Sequence, residues 1–249
     1  GGACEIDEGR YFASAPEGWD GESELPTVVH FHGWNGSPAN FFESDAVMAA
    51  YSEAGVLVIM PEGEDGTWTV PGSGLEGSGR DELAFVRALL TDVGERWPVD
   101  DSRLYVSGHS LGSSMAYHVG CELGEQFAAM SPSSGGFWEP MPQSCPAPPL
   151  PVCHIHGEND TTWPYEGRLV EEGSASGTQA HVDDDIAFWR AHSGCGEESE
   201  SYIDGMLTCE TWRDCEDGAE VSVCTHEGGH ELPDGWVERE VAWLLRFQR

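Results

Sequence analysis

The sequence contains no lysine. All 11 basic residues are arginine, set against 45 acidic residues, and the formal net charge is −34. Such a chain repels phosphate, which excludes nucleic acid as a partner and disfavours anionic membrane surfaces. No apolar run approaches the roughly eighteen residues needed to span a bilayer, so no membrane span is expected. C-x-x-C is absent, and the closest cysteine pair, Cys209 and Cys215, has neither the spacing nor the company of a zinc site. No metal and no cofactor is expected. There is no charged-then-apolar leader, so any signal peptide is expected to have been removed already. No repeat or linker divides residues 1–249, which read as one domain able to bury a sizeable core. A monomer is expected.

What is present points outward from the cell. Eight cysteines (Cys4, Cys121, Cys145, Cys153, Cys195, Cys209, Cys215 and Cys224) form an even set with no thiol motif, which suggests disulfides and an oxidising, extracellular or periplasmic compartment. Gly2-Ala3-Cys4 also allows a lipid anchor on Cys4, a plain disulfide being the simpler reading. The acidic excess reads as a solubilising surface suited to salt, with steering of a cationic substrate as the sharper alternative.

Short β-branched or apolar runs alternate with longer helical patterns. Strands are expected at 10–16 (an edge strand), 27–31, 56–60, 103–107, 127–131, 152–156 and 220–225. Helices are expected at 39–52, 80–97, 110–123, 180–192 and 235–247. In the second of these, Leu83, Val86, Leu90 and Val93 share one face. A Gly-rich loop fills 63–79 and a Pro-rich surface loop 140–151. The alternation predicts an α/β fold: a mostly parallel sheet, helices on both faces, right-handed crossovers and no large lid.

Gly108-His109-Ser110-Leu111-Gly112 lies between a strand and a helix, the context that makes G-x-S-x-G a nucleophile elbow. Tight turning strains the serine and requires small neighbours, which Gly108 and Gly112 supply. A hydroxyl needs a base to become nucleophilic. His230, in a Gly-flanked loop after the last strand, is the expected base, with His226 as a strand-end alternative. Asp160, a short loop beyond strand 152–156, is the expected acid. Glu158 and the run Asp183-Asp184-Asp185 are alternatives, the run reading better as a first helical turn. The tetrahedral intermediate needs two N–H donors, expected from Leu111 and from Trp34 in the loop His32-Gly33-Trp34. Trp34, Trp68, Trp163 and His109 are the expected substrate contacts, with Trp34 and Trp163 forming an aromatic cleft.

Together, His30-Phe31-His32-Gly33, Asp81 with Phe85–Leu89, Val106–Gly112, Met115-Ala116-Tyr117, Cys121-Glu122, Phe127-Ala128-Ala129, His154–Asp160, Pro164–Gly167 and Gly228-Gly229-His230 resemble one family. It is the secreted polyhydroxybutyrate-depolymerase-like and feruloyl-esterase-like branch of the α/β-hydrolases. The resemblance spans residues 28–240. It implies the triad Ser110, Asp160 and His230 and no cofactor. It also implies ester substrates on polymers: hydroxyalkanoate polyesters, feruloyl or acetyl groups on plant polysaccharide, or aromatic polyesters such as PET. Two departures fall where substrate would bind. Loop 63–79 lacks the family's cysteine and Trp-Asn-Trp-type cluster, keeping Thr67-Trp68, and His230 is followed by Glu-Leu-Pro-Asp-Gly-Trp rather than Trp-Pro-Gly. A small-molecule esterase, a peptidase or acyltransferase of the same fold, and a non-enzymatic binding module are the competing readings.

Overall fold

The apolar, β-branched runs become strands and the 3.6-period segments become helices, as their side-chain periods require. The computed structural model describes residues 2–75, 79–171 and 176–249. The strands are β1 (Gly2–Ile6), β2 (Gly9–Ser14), β3 (Leu25–Phe31), β4 (Leu57–Pro61), β5 (Val99–His109), β6 (Ala129–Ser133), β7 (Trp138–Glu139), β8 (Val152–Gly157), β9 (Arg168–Val170), β10 (Gly177–Gln179), β11 (Glu200–Asp204), β12 (Leu207–Trp212) and β13 (Val221–His226). The helices are α1 (Pro38–Phe42), α2 (Asp45–Glu53), α3 (Glu82–Arg96), α4 (Leu111–Leu123), α5 (Val182–His192) and α6 (Trp236–Leu244).

Among the described residues ten strands form one sheet, ordered β1-β2-β4-β3-β5-β6-β8-β13-β12-β11. Its centre, from β4 to β13, is parallel; β1 and β2 on one side and β12 and β11 on the other pair antiparallel. The parallel strands β3, β4 and β8 are buried along their whole length, which explains their mostly apolar character, broken by Thr27 and His30 in β3 and by His154 and His156 in β8. Two cores result. One packs α3, α4 and α5 on one face through Phe85, Val119 and Trp189. The other packs α2 and α6 on the opposite face through Tyr51, Val241 and Leu244. This is the α/β-hydrolase architecture expected from the alternation. No helix among the described residues is long and apolar enough to cross a membrane.

Several expectations are corrected. The 39–52 helix is two helices. Ser44 is extended (φ −85°, ψ 96°) and stands at the N-cap of α2, a position serine favours. Strand 10–16 is not the edge, because β1 covers it. The buried face of α3 is centred on Phe85, Val86, Leu89 and Val93, with Leu83 and Leu90 at its margins. Residues 76–78 of the Gly-rich loop lie outside the described residues. Six of the eight cysteines form three disulfides, Cys121–Cys145, Cys195–Cys215 and Cys209–Cys224. Cys4 and Cys153 are free, since one lies on the outermost strand β1 and the other is buried in central β8.

One buried acid couples the α6 layer to pH. Glu240 lies against Tyr51, whose hydroxyl is 3.4 Å from Oε2. Burial raises its carboxyl from the ordinary 4.5 to about 8, although Ser107 and Tyr51 partly oppose this. The folded chain therefore holds a proton that the unfolded chain releases between those two values. Stability falls as pH rises through that window, by up to about 1.4 kcal/mol per pH unit from this group. Glu240→Gln should flatten the difference between urea denaturation at pH 5 and at pH 8. An unchanged slope would show that Glu240 ionises freely in the fold.

Candidate active site

Ser110 joins β5 to α4 with φ +60° and ψ −124°, a strained conformation for a non-glycine residue. The two flanking glycines are required by contact. A Cβ on Gly108 would lie 2.2 Å from the Gly112 carbonyl oxygen, and a Cβ on Gly112 would lie 2.0 Å from that of Phe31. β6 holds the turn from the other side: the Ser110 N–H donates to the Ser133 carbonyl at 2.9 Å, and Ser133 Oγ donates to the Gly108 carbonyl at 2.9 Å.

The loops after β8 and β13 leave the same sheet edge, because these strands are parallel neighbours. They are also bonded to each other. Glu158 N–H donates to the His226 carbonyl at 2.8 Å, and Asn159 N–H to that of Gly228 at 2.9 Å. Asn159 Nδ2 reaches the Glu227 carbonyl at 2.7 Å. Asp160 thereby meets His230, with Oδ2 2.7 Å from Nδ1. His230 Nε2 is 2.8 Å from Ser110 Oγ. Asp160 Oδ1 accepts the N–H groups of Thr162 and Trp163, each at 2.8 Å. Burial pushes this carboxyl up, but the His230 bond and the Trp163 and Thr162 amides outweigh it, and the net shift is downward. An ionised acceptor at Nδ1 fixes the tautomer, leaving Nε2 to accept the serine proton.

The loop after β3 is braced against Ser110. A Cβ on Gly33 would lie 3.2 Å from Ser110 Cβ, so its backbone runs flush beside the serine. Burial keeps His32 below its ordinary pKa and neutral. Its Nδ1 donates to the Gly33 carbonyl at 2.8 Å, and its Nε2 accepts the Gly63 N–H at 3.0 Å. These two bonds hold the Gly33 backbone beside Ser110, and Leu111, the next residue after the serine, opens α4, where the first N–H groups lack intrahelical partners.

The other expected residues divide. Trp34 is 53% exposed and open to a ligand. Trp68 is 0% exposed, so the expected substrate contact is corrected: its Nε1 donates to the His32 carbonyl at 2.7 Å and supports the loop from beneath. Trp163 is likewise buried, packed edge-on against Trp138 at 5.3 Å, and does not form an open cleft with Trp34. His109, held neutral by burial, donates Nε2–H to the His230 carbonyl at 2.8 Å. It steadies the base loop. Glu158 accepts the Thr225 hydroxyl, His226 ends β13, and Asp183, Asp184 and Asp185 form the first turn of α5. The clamping role of Asn159 and the bracing role of His32 had no periodic or spacing signal in the sequence. No group of His, Cys, Asp and Glu among the described residues could hold a metal ion.

The chain matches the family model described as putative esterase over residues 7–186. It is 27% identical to Feruloyl esterase B of Piromyces equi over 88% of its own length, although it spans only 42% of that longer protein. It is 23% identical to Probable feruloyl esterase C of Aspergillus terreus, covering 92% of this chain and 79% of the relative. Among solved structures, the acetyl xylan esterase from Aspergillus awamori superposes with a TM-score of 0.71 at 15% identity, covering 98% of this chain and 99% of that one. With the family match extending over most of the chain, the protein belongs to the putative esterase family, on the α/β-hydrolase fold.

Proposed function

We propose that the protein is a carboxylic-ester hydrolase working through an acyl-enzyme on Ser110, with Asp160 and His230 completing the triad. The hydrogen-bonded line Ser110–His230–Asp160, with both links under 3 Å, carries this reading. His230 takes the Ser110 proton as Oγ attacks the ester carbonyl. The Leu111 and Trp34 amides hold the oxyanion. His230 returns the proton to the leaving alcohol, and water repeats the sequence to release the acid. A fluorophosphonate should add one phosphonyl group per chain, on the peptide containing Ser110; a label on any other residue would remove Ser110 from this role.

For substrate, we favour acyl groups carried by a polysaccharide. Trp34 borders a cavity of about 470 Å³ lined by Asn35, Glu64, Asp65, Thr67 and Thr69. An aromatic face ringed by donors and acceptors suits a sugar ring. The Glu64 and Asp65 carboxylates on this lining can only accept; sugar hydroxyls can donate to them, whereas a polyester backbone offers acceptors alone. The names of the fungal feruloyl esterases that the chain resembles agree with this choice, and the three disulfides support an extracellular setting. Release of ferulate or acetate from substituted xylan is expected beside hydrolysis of p-nitrophenyl acetate and methyl ferulate. Should xylan stay intact while polyhydroxybutyrate film erodes, the polyester alternative would replace this one. Trp34→Ala keeps the backbone N–H and removes the ring. It should lower kcat/KM on xylan esters about tenfold, the equivalent of one aromatic contact, and leave p-nitrophenyl acetate nearly unchanged. Equal losses on both would assign the ring to the reaction centre instead.

A further inference from the structure

Strand β8 carries two buried histidines, His154 and His156, on the same side of the strand. Neither belongs to the triad. The Tyr117 hydroxyl, from α4, is 2.9 Å from His154 Nδ1. His154 Nε2 is 3.0 Å from His156 Nδ1. His156 Nε2 is 2.8 Å from the Trp163 carbonyl oxygen. Burial keeps both imidazoles below their ordinary pKa and neutral.

These contacts fix every proton. A carbonyl can only accept, so His156 Nε2 carries the hydrogen. A neutral imidazole has one N–H, so His156 Nδ1 must accept. His154 Nε2 therefore donates, His154 Nδ1 accepts, and Tyr117 gives its hydroxyl proton. The row runs in one direction, Tyr117 to His154 to His156 to Trp163. It ends on the loop that carries the acid: Trp163 N–H donates to Asp160 Oδ1, and His156 Nε2 is 3.7 Å from Asp160 Oδ2, the oxygen bonded to His230.

We infer that His156, locked in one tautomer by His154 and Tyr117, is a positioning residue that anchors the Asp160–Trp163 turn so that Oδ2 meets His230. The inference rests on the proposed triad. An apolar residue would fill the same space at lower desolvation cost, but it would leave the Trp163 carbonyl without its partner and the turn free to swing. A turn shifted by about an ångström is enough to cost on the order of a hundredfold in rate.

The test compares His156→Gln, whose amide nitrogen reaches the place of Nε2, with His156→Asn, which is too short to reach Trp163. Rates on p-nitrophenyl acetate are divided by the concentration of Ser110 titrated with fluorophosphonate, so unfolded molecules do not count. His156→Asn should lower kcat about 30- to 100-fold with KM within threefold, and His156→Gln should recover to within about fivefold of wild type. The low-field proton resonance of the His230–Asp160 bond should weaken in the Asn protein and persist in the Gln protein. Tyr117→Phe, acting from the far end, should cost about three- to tenfold. Equal kcat for Asn and Gln variants, or a full low-field resonance in the Asn protein, would overturn the positioning role. If neither His156 variant yields titratable protein, an unchanged kcat in Tyr117→Phe overturns it. Ser110→Ala separates the two claims: activity surviving there refutes the triad itself, whereas an inactive Ser110→Ala beside a fully active His156→Asn refutes only the positioning.

Discussion

Ser110→Ala is expected to reduce kcat on p-nitrophenyl acetate by about a millionfold, while KM and the melting temperature barely move. The alanine keeps Cβ at the strained turn, so the β6 contacts that hold the elbow persist, and only the attacking oxygen is lost. Asp160→Asn should be graded below it, at about ten-thousandfold. The reason is directional. An asparagine can keep Oδ1 as acceptor for the Thr162 and Trp163 amides, which turns its NH₂ toward His230 Nδ1. That donor forces the hydrogen onto Nε2, where the serine proton has to arrive. Stopped-flow acylation with p-nitrophenyl acetate separates the cases: no burst for Ser110→Ala, and a slow but complete burst for Asp160→Asn. A burst of wild-type rate in either variant would contradict the roles given to these residues.

Gly112→Ala should be nearly as damaging by a different route. Its Cβ would sit 2.0 Å from the Phe31 carbonyl oxygen and 2.6 Å from that of His32, with backbone on both counts. No side chain can turn aside to relieve this. α4 has to move off β3, carrying Ser110 and Leu111 away from the loop at Gly33 and Trp34. A kcat loss above about a thousandfold is expected, with stability reduced by about 3 kcal/mol. Gly94→Ala is the matched control. It sits in α3 with nothing within 4 Å of the added carbon, and should stabilise by about 0.5–1 kcal/mol. Wild-type activity in Gly112→Ala would mean that the elbow and the β3 loop move independently.

The side chains proposed as catalytic were legible because their chemistry carries local constraints. A strained serine needs small neighbours, and a base on a loop needs room, so Gly108, Gly112, Gly228 and Gly229 mark the places. The central strands were legible because both their faces are buried. The polar strand β11 and the short strands β7, β9 and β10 were not, since few of their residues are buried, and β12 was missed although Leu207, Cys209 and Thr211 are buried in alternation with Thr208 and Glu210. The tryptophans misled for a related reason. A loop position suggests exposure, but burial is decided by what packs above the loop, and Trp68 and Trp163 are covered. Pairing of the cysteines depended on register, visible only once Cys209 and Cys224 stand opposite each other on β12 and β13.

The place of β13 in the sheet gives turnover a meaning in folding. β13 is the last strand made, yet it inserts between β8 and β12, with the β9–β10 pair, α5 and the β11–β12 hairpin lying between β8 and β13 in the chain. Such a long-range parallel pairing closes late, after local hairpins and helices have formed. Ser110 and the β3 loop beside it come from the first half of the chain, but His230, its proposed base, follows the end of β13. In a refolding experiment, far-ultraviolet circular dichroism should therefore recover before ester hydrolysis does, and the return of activity marks the moment the sheet accepts its final strand.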